Sequence, residues 1–208
     1  MEYRIITLCV GELGTNCYLL VKGNRAALID PAADSGTILH TLQENGLTLD
    51  AILLTHGHFD HIGAVEELRT ATGAPLYLHR ADAELLSSPD KNYSTVFLDH
   101  AILCRDADVL LRDGDTIPFA GDDITVMHTP GHTMGSVIYR YADTLFCGDT
   151  IFKAGIGRTD LYGGDKRQLG ASLVKLFRFY DENGKDYRLL PGHGEETRLS
   201  EERRSYRI

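Results

Sequence analysis

The sequence has no tryptophan, six prolines and only four cysteines among its 208 residues. Cys9, Cys17, Cys104 and Cys147 form no CxxC pair and are too sparse for the disulfide framework of a small secreted protein. We therefore expect reduced thiols and a cytoplasmic location, with Cys147 packed in a strand rather than bound to a metal. No proline-rich linker or low-complexity segment marks a boundary, so a single domain over residues 1–208 is predicted.

Positive charge is also scarce, since 21 lysines and arginines stand against 30 aspartates and glutamates and the formal net charge is −9. An acidic chain repels phosphate backbones and anionic membrane surfaces. The longest N-terminal apolar run, Ile5 to Val10, is interrupted by Thr7 and is too short for a signal-peptide core or for the ~20 residues that span a bilayer. A small-molecule substrate is therefore expected rather than nucleic acid or a membrane, and the oligomeric state is left open.

Hydropathy patterning divides the chain into two β-rich halves. In the first half we predict strands over residues 3–8, 17–22, 26–29, 51–55 and 75–78, and helices over 35–42, with Ser35 as N-cap, and over 60–71. In the second half we predict strands over residues 116–119, 124–129, 136–140, 144–147 and 187–190, and a helix over 169–179. Between the halves the pattern weakens, with a helical fragment at 83–87 and an ambiguous stretch at 93–104 that could cover a site as a loop. This order predicts an α/β sandwich of α, β, β and α layers.

The strongest chemical signal follows the apolar strand that runs out at Thr55. His56, His58, Asp60 and His61 place four potential metal ligands within six positions. In extended backbone, side chains two residues apart point the same way, so His56 and His58 can converge on one metal ion, while Asp60 and His61 open the next helix and can address a second. A lone histidine is usually an ordinary core or surface residue, and a lone Asp60 a helix N-cap. Four such groups at one strand end instead favour a divalent cation such as zinc, iron or manganese.

Three further candidate ligands also follow predicted strands. They are His132, Asp149 and His193, and a glycine directly precedes each of them. Glycine permits the unusual backbone angles and close approach that a ligand-bearing strand end requires. Each segment alone would be an ordinary turn, but four strand ends that carry ligands indicate one shared site.

The motif THxHxDH at residues 55–61, with His132, Asp149 and His193, resembles the metallo-β-lactamase-fold hydrolases. The resemblance runs from about residue 19 to residue 193 and implies that family's αββα sandwich, with two mixed sheets and helices on the outer faces. Residues 146–152 (FCGDTIF) and 155–160 (GIGRTD) are similar to the glyoxalase II, or hydroxyacylglutathione hydrolase, branch and especially to its short bacterial members.

This resemblance implies two divalent metal ions, with zinc expected first and iron or manganese as alternatives. By motif, the first metal is expected on His56, His58 and His132, the second on Asp60, His61 and His193, and Asp149 is expected to bridge both. Asp30 matches a family position that supports the site, although a turn residue at a strand end is an equally weighted interpretation. The implied activity is hydrolysis of a thioester, S-lactoylglutathione or a related compound, by a bridging hydroxide, with Asp60 and Asp149 as catalytic residues.

Two features depart from the glutathione-dependent enzymes. Arg158 and Asp160 stand where full-length glyoxalase II typically has a lysine and a tyrosine, so Arg158 is either a substrate contact or the ion-pair partner of Asp160 or Asp165. No appended helical domain with glutathione contacts is expected, because fifteen residues follow His193. Residues 201–204 (EERR) are interpreted as a solvated, charged helix end.

Other functions remain open at this level. A persulfide dioxygenase would use one iron on His56, His132 and Asp149, a two-histidine, one-carboxylate set that suits ferrous iron. A metal-binding module without turnover is a further alternative, although all seven ligand positions are filled. A true β-lactamase is less favoured because the zinc enzymes of that chemistry generally lack a bridging aspartate, and a nuclease is disfavoured by the acidic charge.

Overall fold

The computed structural model describes residues 2–206. The strands are β1 Tyr3–Val10, β2 Thr15–Lys22, β3 Arg25–Ile29, β4 Thr48–Leu53, β5 Leu76–His79, β6 Val109–Leu111, β7 Thr116–Phe119, β8 Asp122–His128, β9 Val137–Tyr141, β10 Thr144–Gly148, β11 Ile151–Phe152, β12 Gly155–Ile156, β13 Arg188–Pro191 and β14 Thr197–Arg198. The helices are α1 Ser35–Glu44, α2 Phe59–Ile62, α3 Val65–Thr72, a 3₁₀ helix Arg80–Ser87, α4 Ser94–Phe97, α5 Lys166–Asn183 and α6 Leu199–Ser205.

Two six-stranded sheets dominate the fold. The first has the strand order β1-β2-β3-β4-β5-β6 and the second the order β14-β13-β10-β9-β8-β7, while β11 and β12 form a separate hairpin. Both large sheets are mixed: β3 to β6 pair in parallel in the first, and β10 pairs in parallel with β13 in the second. The predicted pair of mixed sheets is confirmed.

Alternation along the strands builds three hydrophobic layers. On β2, Tyr18 and Leu20 face the core between the two sheets, while Cys17 and Leu19 face the core under α1 and α3. Because both faces of this strand are covered, it is buried almost throughout. A third core lies between the second sheet and helices α5 and α6. The order of layers is therefore α, β, β, α, as expected.

The second predicted helix is divided in the structure. Residues 60–71 were expected as one helix, but α2 ends at Ile62 and α3 begins at Val65. A Cβ on Gly63 would lie 2.2 Å from the carbonyl oxygen of Ala32, so the chain passes too close to its neighbour for any other residue. The Ala64 N–H then donates to the carbonyl of Pro31, 2.9 Å away, instead of continuing the helix. A contact with a distant segment thus breaks a helix that local periodicity favours.

Two terminal assignments were also wrong. The N-cap of α1 is Asp34, and Ser35 is the first helical residue, whose hydroxyl donates to Glu67 instead of capping the helix. In the C-terminal charged segment Glu202 is buried, accepting from the Thr197 hydroxyl at 2.8 Å and from the Ala154 N–H at 3.0 Å. The interpretation of residues 201–204 as a solvated end therefore fails at Glu202, because its carboxylate ties α6 to the β11–β12 hairpin.

Residues 93–104, whose sequence pattern is ambiguous, carry α4 and pack with Ile102 and Cys104 against the first core. The Asn92 side chain is fully buried and donates to the carbonyls of Leu85 and Ile102. Phe97 of α4 stacks on Phe59 with ring centroids 5.5 Å apart. Among the helices of residues 2–206, none is long and apolar enough to cross a bilayer.

Candidate metal centre

All seven predicted ligands meet at one end of the sandwich, where β4, β8, β10 and β13 end. His56 Nε2 and His132 Nε2 lie 3.3 Å apart, and His58 Nδ1 lies 2.9 Å from His132 Nε2. On the other side, His193 Nε2 lies 3.2 Å from Asp60 Oδ2. The candidate ligand atoms form three groups, and within each group all the atoms lie within 4.8 Å of one another. The groups are His56, His58 and His132; His56, His61 and Asp149; and Asp60, His61 and His193.

Asp149 lies between these groups. Its Oδ1 is 3.5 Å from His61 Nε2, and its Oδ2 is 3.6 Å from both His132 Nε2 and His193 Nε2. One carboxylate thus faces histidines of both expected metal sites. This is the position that a bridging ligand requires.

Backbone and side-chain partners orient three of the histidines. His132 Nδ1 donates to the carbonyl of Arg158 at 2.8 Å, and His61 Nδ1 faces Asp30 Oδ2 at 3.1 Å. His56 Nδ1 lies 3.1 Å from the Thr55 hydroxyl. In His132 and His56 the Nδ1 atom is hydrogen-bonded away from the centre, which leaves Nε2 free to offer its lone pair to a metal.

Buried atoms at the centre lack hydrogen-bond partners among the described residues. They include His61 Nε2 and Asp149 Oδ1. Unsatisfied buried polar atoms are rare in native proteins, and the imidazole and carboxylate donors here are ligands that zinc, iron and manganese accept. The residues present therefore fit a metal centre.

The charges of the cluster support the same conclusion. Burial and neighbouring histidines, His132 above all, lower the pKa of His58 to about 3, and burial with the surrounding imidazoles lowers the pKa of His56 well below its usual range. Burial also opposes protonation of His61, but Asp60, Asp30 and Asp149 outweigh it and raise its pKa to about 10. The neutral imidazoles of His56 and His58 are in the deprotonated form that metals bind, and the carboxylates around His61 attract positive charge.

Glycines let the ligand-bearing strand ends approach one another. Gly148 has a φ of +46°, and a Cβ there would lie 2.2 Å from the Thr55 hydroxyl oxygen. A Cβ on Gly192 would lie 2.3 Å from Asp149 Oδ1. The glycines that sequence patterning singled out beside the ligands are therefore required by the packing of the centre itself.

A buried carboxylate that sequence analysis missed holds two ligand loops together. Asp82, in the 3₁₀ helix, accepts from the Gly57 N–H at 3.0 Å, from the Gly135 N–H at 2.6 Å and from the Thr133 hydroxyl at 2.7 Å. Burial raises its pKa to about 6 although these hydrogen bonds lower it. A single aspartate in a weakly patterned region carries no signal of this role, because its partners are 25 to 53 residues away.

Arg158 lies at the rim of the centre. Its guanidinium forms two hydrogen bonds of 2.8 Å with Asp160, and Asp165 caps α5 instead. The sequence allows Arg158 to be either a substrate contact or an ion-pair partner, and the structure shows the ion pair with Asp160. The backbone carbonyl of Arg158 also orients His132. The identity of the residue at position 158 could not predict this contact, because it involves only the backbone.

Comparisons with known proteins agree with this geometry. A probable metallo-hydrolase, YqgX of Bacillus subtilis, is 36% identical over 190 residues, which cover 90% of this chain and 89% of YqgX. Hydroxyacylglutathione hydrolase GloC of Haemophilus influenzae is 31% identical over 202 residues, which cover 91% of this chain and 90% of GloC.

Solved structures show the same fold over almost the whole chain. BLEG-1 B3 metallo-β-lactamase has a TM-score of 0.88 with 35% identity, covering 96% of both chains. TTHA1623 in a di-iron-bound form has a TM-score of 0.84 with 36% identity, covering 97% of this chain and 98% of its own. ETHE1 from Myxococcus xanthus has a TM-score of 0.79 with 30% identity, covering 98% of this chain and 82% of its own. The model of the metallo-β-lactamase superfamily matches residues 10–193, and the chain belongs to that superfamily.

Proposed function

We propose that the chain is a dinuclear-metal hydrolase that cleaves thioesters. The observation that carries this proposal is the position of Asp149, whose two oxygens face histidines on both sides of the cluster. In the proposal His56, His58 and His132 hold one metal, Asp60, His61 and His193 hold the other, and Asp149 bridges them. The similarity to GloC, a hydroxyacylglutathione hydrolase, supports thioesters as the substrate class and S-lactoylglutathione as the first compound to test.

The metals, when bound, supply Lewis acidity, which polarises a carbonyl and lowers the pKa of a water molecule. The chain's own residues set the geometry. Asp60 remains ionised, because His61 and His193 outweigh the effect of burial and hold its pKa below its usual range. The thiolate leaving group of a thioester has a conjugate pKa of about 8.5, so its departure needs little help from a general acid.

Protein nucleophiles are not part of this mechanism. Cys147, the cysteine nearest to Asp149 in sequence, is fully buried, and burial raises the pKa of its thiol. A protonated, enclosed thiol neither attacks a substrate nor binds a metal. The interpretation of Cys147 as a packing residue agrees with its place in β10.

The test is a substrate panel on purified protein whose metal content has been measured. S-lactoylglutathione and other thioesters, a lactone, a β-lactam and glutathione persulfide are supplied in turn. We expect thioester cleavage to exceed the other hydrolyses. Failure to cleave any thioester would refute the proposal, and β-lactam cleavage as the main activity would assign the chain the activity named for BLEG-1.

A persulfide dioxygenase is the second candidate, favoured by the two-histidine, one-carboxylate set of His56, His132 and Asp149. Two observations weigh against it. His58 Nδ1 lies 2.9 Å from His132 Nε2, and His193 lies beside Asp60, so three candidate donors are grouped at each of the two proposed metal positions. Oxygen consumption with glutathione persulfide as substrate, and a single iron per chain, would replace the hydrolase proposal with this one.

A further inference from the structure

A cavity of about 370 Å³ adjoins the metal centre on the side of Asp60. Its walls come from the β1–β2 turn, from the loop between β3 and α1, from α2 and the start of α3, and from the end of α4 with the segment after it. Asp60 and Thr15 both line the cavity, and Thr15 forms a β-bridge with His193. The cavity therefore borders Asp60, a ligand of the proposed second metal, and Thr15 connects its wall to His193, another of those ligands.

The lining is apolar and aromatic. Phe59 and Phe97 stack on one another within it, and Leu13, Leu98, Ile102 and three alanines add to its apolar surface. Leu13 is 55% exposed and Phe97 is 52% exposed, although both are large hydrophobic residues. Apolar pockets of about this size beside a few polar groups are typical of small-molecule sites.

A buried polar atom without a partner lies at the same place. Thr15 is 1% exposed, and among the described residues its hydroxyl has no hydrogen-bond partner. Buried hydroxyls are almost always satisfied by protein, water or ligand. An oxygen or nitrogen atom of a bound molecule would give the Thr15 hydroxyl the hydrogen-bond partner that it lacks.

The charge of the cavity selects against anions. Glu12, Asp34 and Glu67 line it together with Asp60, and within residues 2–206 no lysine or arginine does. Glu12, Asp34 and Glu67 are exposed, so water and salt screen their charges, but all three repel an anion. Glutathione carries two carboxylates, so it would not occupy this space.

We propose that this cavity binds the acyl chain of the substrate, and that this chain is apolar and carries no negative charge. The proposal rests on the proposed thioesterase activity and narrows it. The thiol carrier then lies outside the cavity, and the acyl carbonyl lies at the metal centre, where the Asp60 end of the cavity opens.

The test uses acetyl, butanoyl and hexanoyl thioesters of N-acetylcysteamine, an uncharged carrier, with protein of measured metal content. Each methylene that enters the cavity should raise kcat/KM about fourfold. Phe97→Ala should reduce this increment to less than about twofold per methylene, because part of the apolar wall is lost. Leu13→Ala, on a different element, should act in the same direction, whereas Val96→Ala, which removes an exposed side chain that does not line the cavity, should not.

Charge is tested with a six-carbon acyl thioester that ends in a carboxylate. We expect at least about a tenfold lower kcat/KM than for the hexanoyl compound, and Glu67→Gln should narrow the difference several-fold.

Turnover that does not depend on acyl length would overturn the proposal while leaving the thioesterase activity intact, whereas no turnover of any thioester would refute the activity itself. If a second copy of the chain instead covers Leu13 and Phe97, kcat/KM should not depend on acyl length, and Phe97→Ala should lower the oligomeric mass. That result would also overturn the proposal.

Discussion

Asp30 Oδ2 lies 3.1 Å from His61 Nδ1, and both side chains are buried. The same carboxylate accepts from the Thr55 N–H at 2.7 Å and from the Thr55 hydroxyl at 2.6 Å. Asp30 therefore orients His61 directly and His56 through Thr55, whose hydroxyl lies 3.1 Å from His56 Nδ1. One carboxylate outside the ligand set supports a histidine in each half of the centre.

Asp30→Asn should weaken metal binding. The amide offers one acceptor oxygen in place of two and directs an NH₂ group at an existing donor, so we expect an affinity loss of about 10–100-fold for at least one metal. Titration of metal-free protein with zinc measures it. Asp181→Asn, which alters an exposed ion pair with Arg203, is the control, and equal affinities in the two variants would show that Asp30 has no supporting role.

Asp82→Asn should loosen the loops that carry His58 and His132. Asp82 accepts three hydrogen bonds and donates none, so asparagine would leave at least one buried donor unsatisfied. We expect the free energy of unfolding to fall by about 1–3 kcal/mol. Urea unfolding of metal-free protein checks this at pH 7.5, and unchanged stability would contradict the role inferred for Asp82.

His79 should make stability depend on pH. Burial, His128 and Arg80 lower the pKa of His79 to about 4, whereas an unfolded histidine titrates near 6.5. Between these values the unfolded chain binds more protons, so this contribution is fully present above pH 6.5 and is lost as pH falls towards 4. We expect a loss of about 2 kcal/mol from this residue.

The variant His79→Asn isolates that effect. The His79 ring accepts from the Ala81 N–H at 3.3 Å and stacks on His128 with centroids 3.9 Å apart. Asparagine keeps a capping acceptor but does not titrate. Urea unfolding at pH 7.0, 5.5 and 4.5 should show a flatter pH dependence for the variant, and parallel curves would refute the assignment.

Gly131→Ala should be far more damaging than Gly170→Ala. Gly131 has a φ of +133°, and a Cβ there would lie 2.2 Å from the Leu169 backbone nitrogen, so we expect a loss of about 2–4 kcal/mol. Gly170 lies inside α5 with nothing within 4 Å of an added Cβ, so alanine should stabilise the helix by about 0.5–1 kcal/mol. Thermal unfolding of both variants measures the contrast, and effects of the same sign would contradict it.

Local patterns in the sequence predicted the parts of the fold that depend on short-range order. The ligand cluster from His56 to His61 follows a buried strand, and its spacing alone indicates a metal centre. The two sheets could be predicted because strand periodicity is set by which faces are buried. The short elements β6 and the β11–β12 hairpin could not be predicted, because a strand of two or three residues is too short to show a hydrophobic period.

Long-range contacts account for what could not be predicted. The break at Gly63 comes from a carbonyl 31 residues earlier in the chain, at Ala32. The burial of Glu202 depends on the β11–β12 hairpin, and the role of Asp82 depends on two loops that fold back onto it. The acidic, apolar cavity is assembled from four separate segments, so no single stretch of sequence reveals it.

The most direct test of the account is a count of metal ions per chain, made together with thioester turnover, in the wild type and in Asp149→Ala. We predict two ions in the wild type, at most one in the variant, and a fall in turnover of at least about 100-fold, because the carboxylate that faces both halves of the centre is gone. Two ions and unchanged turnover in Asp149→Ala would contradict the account.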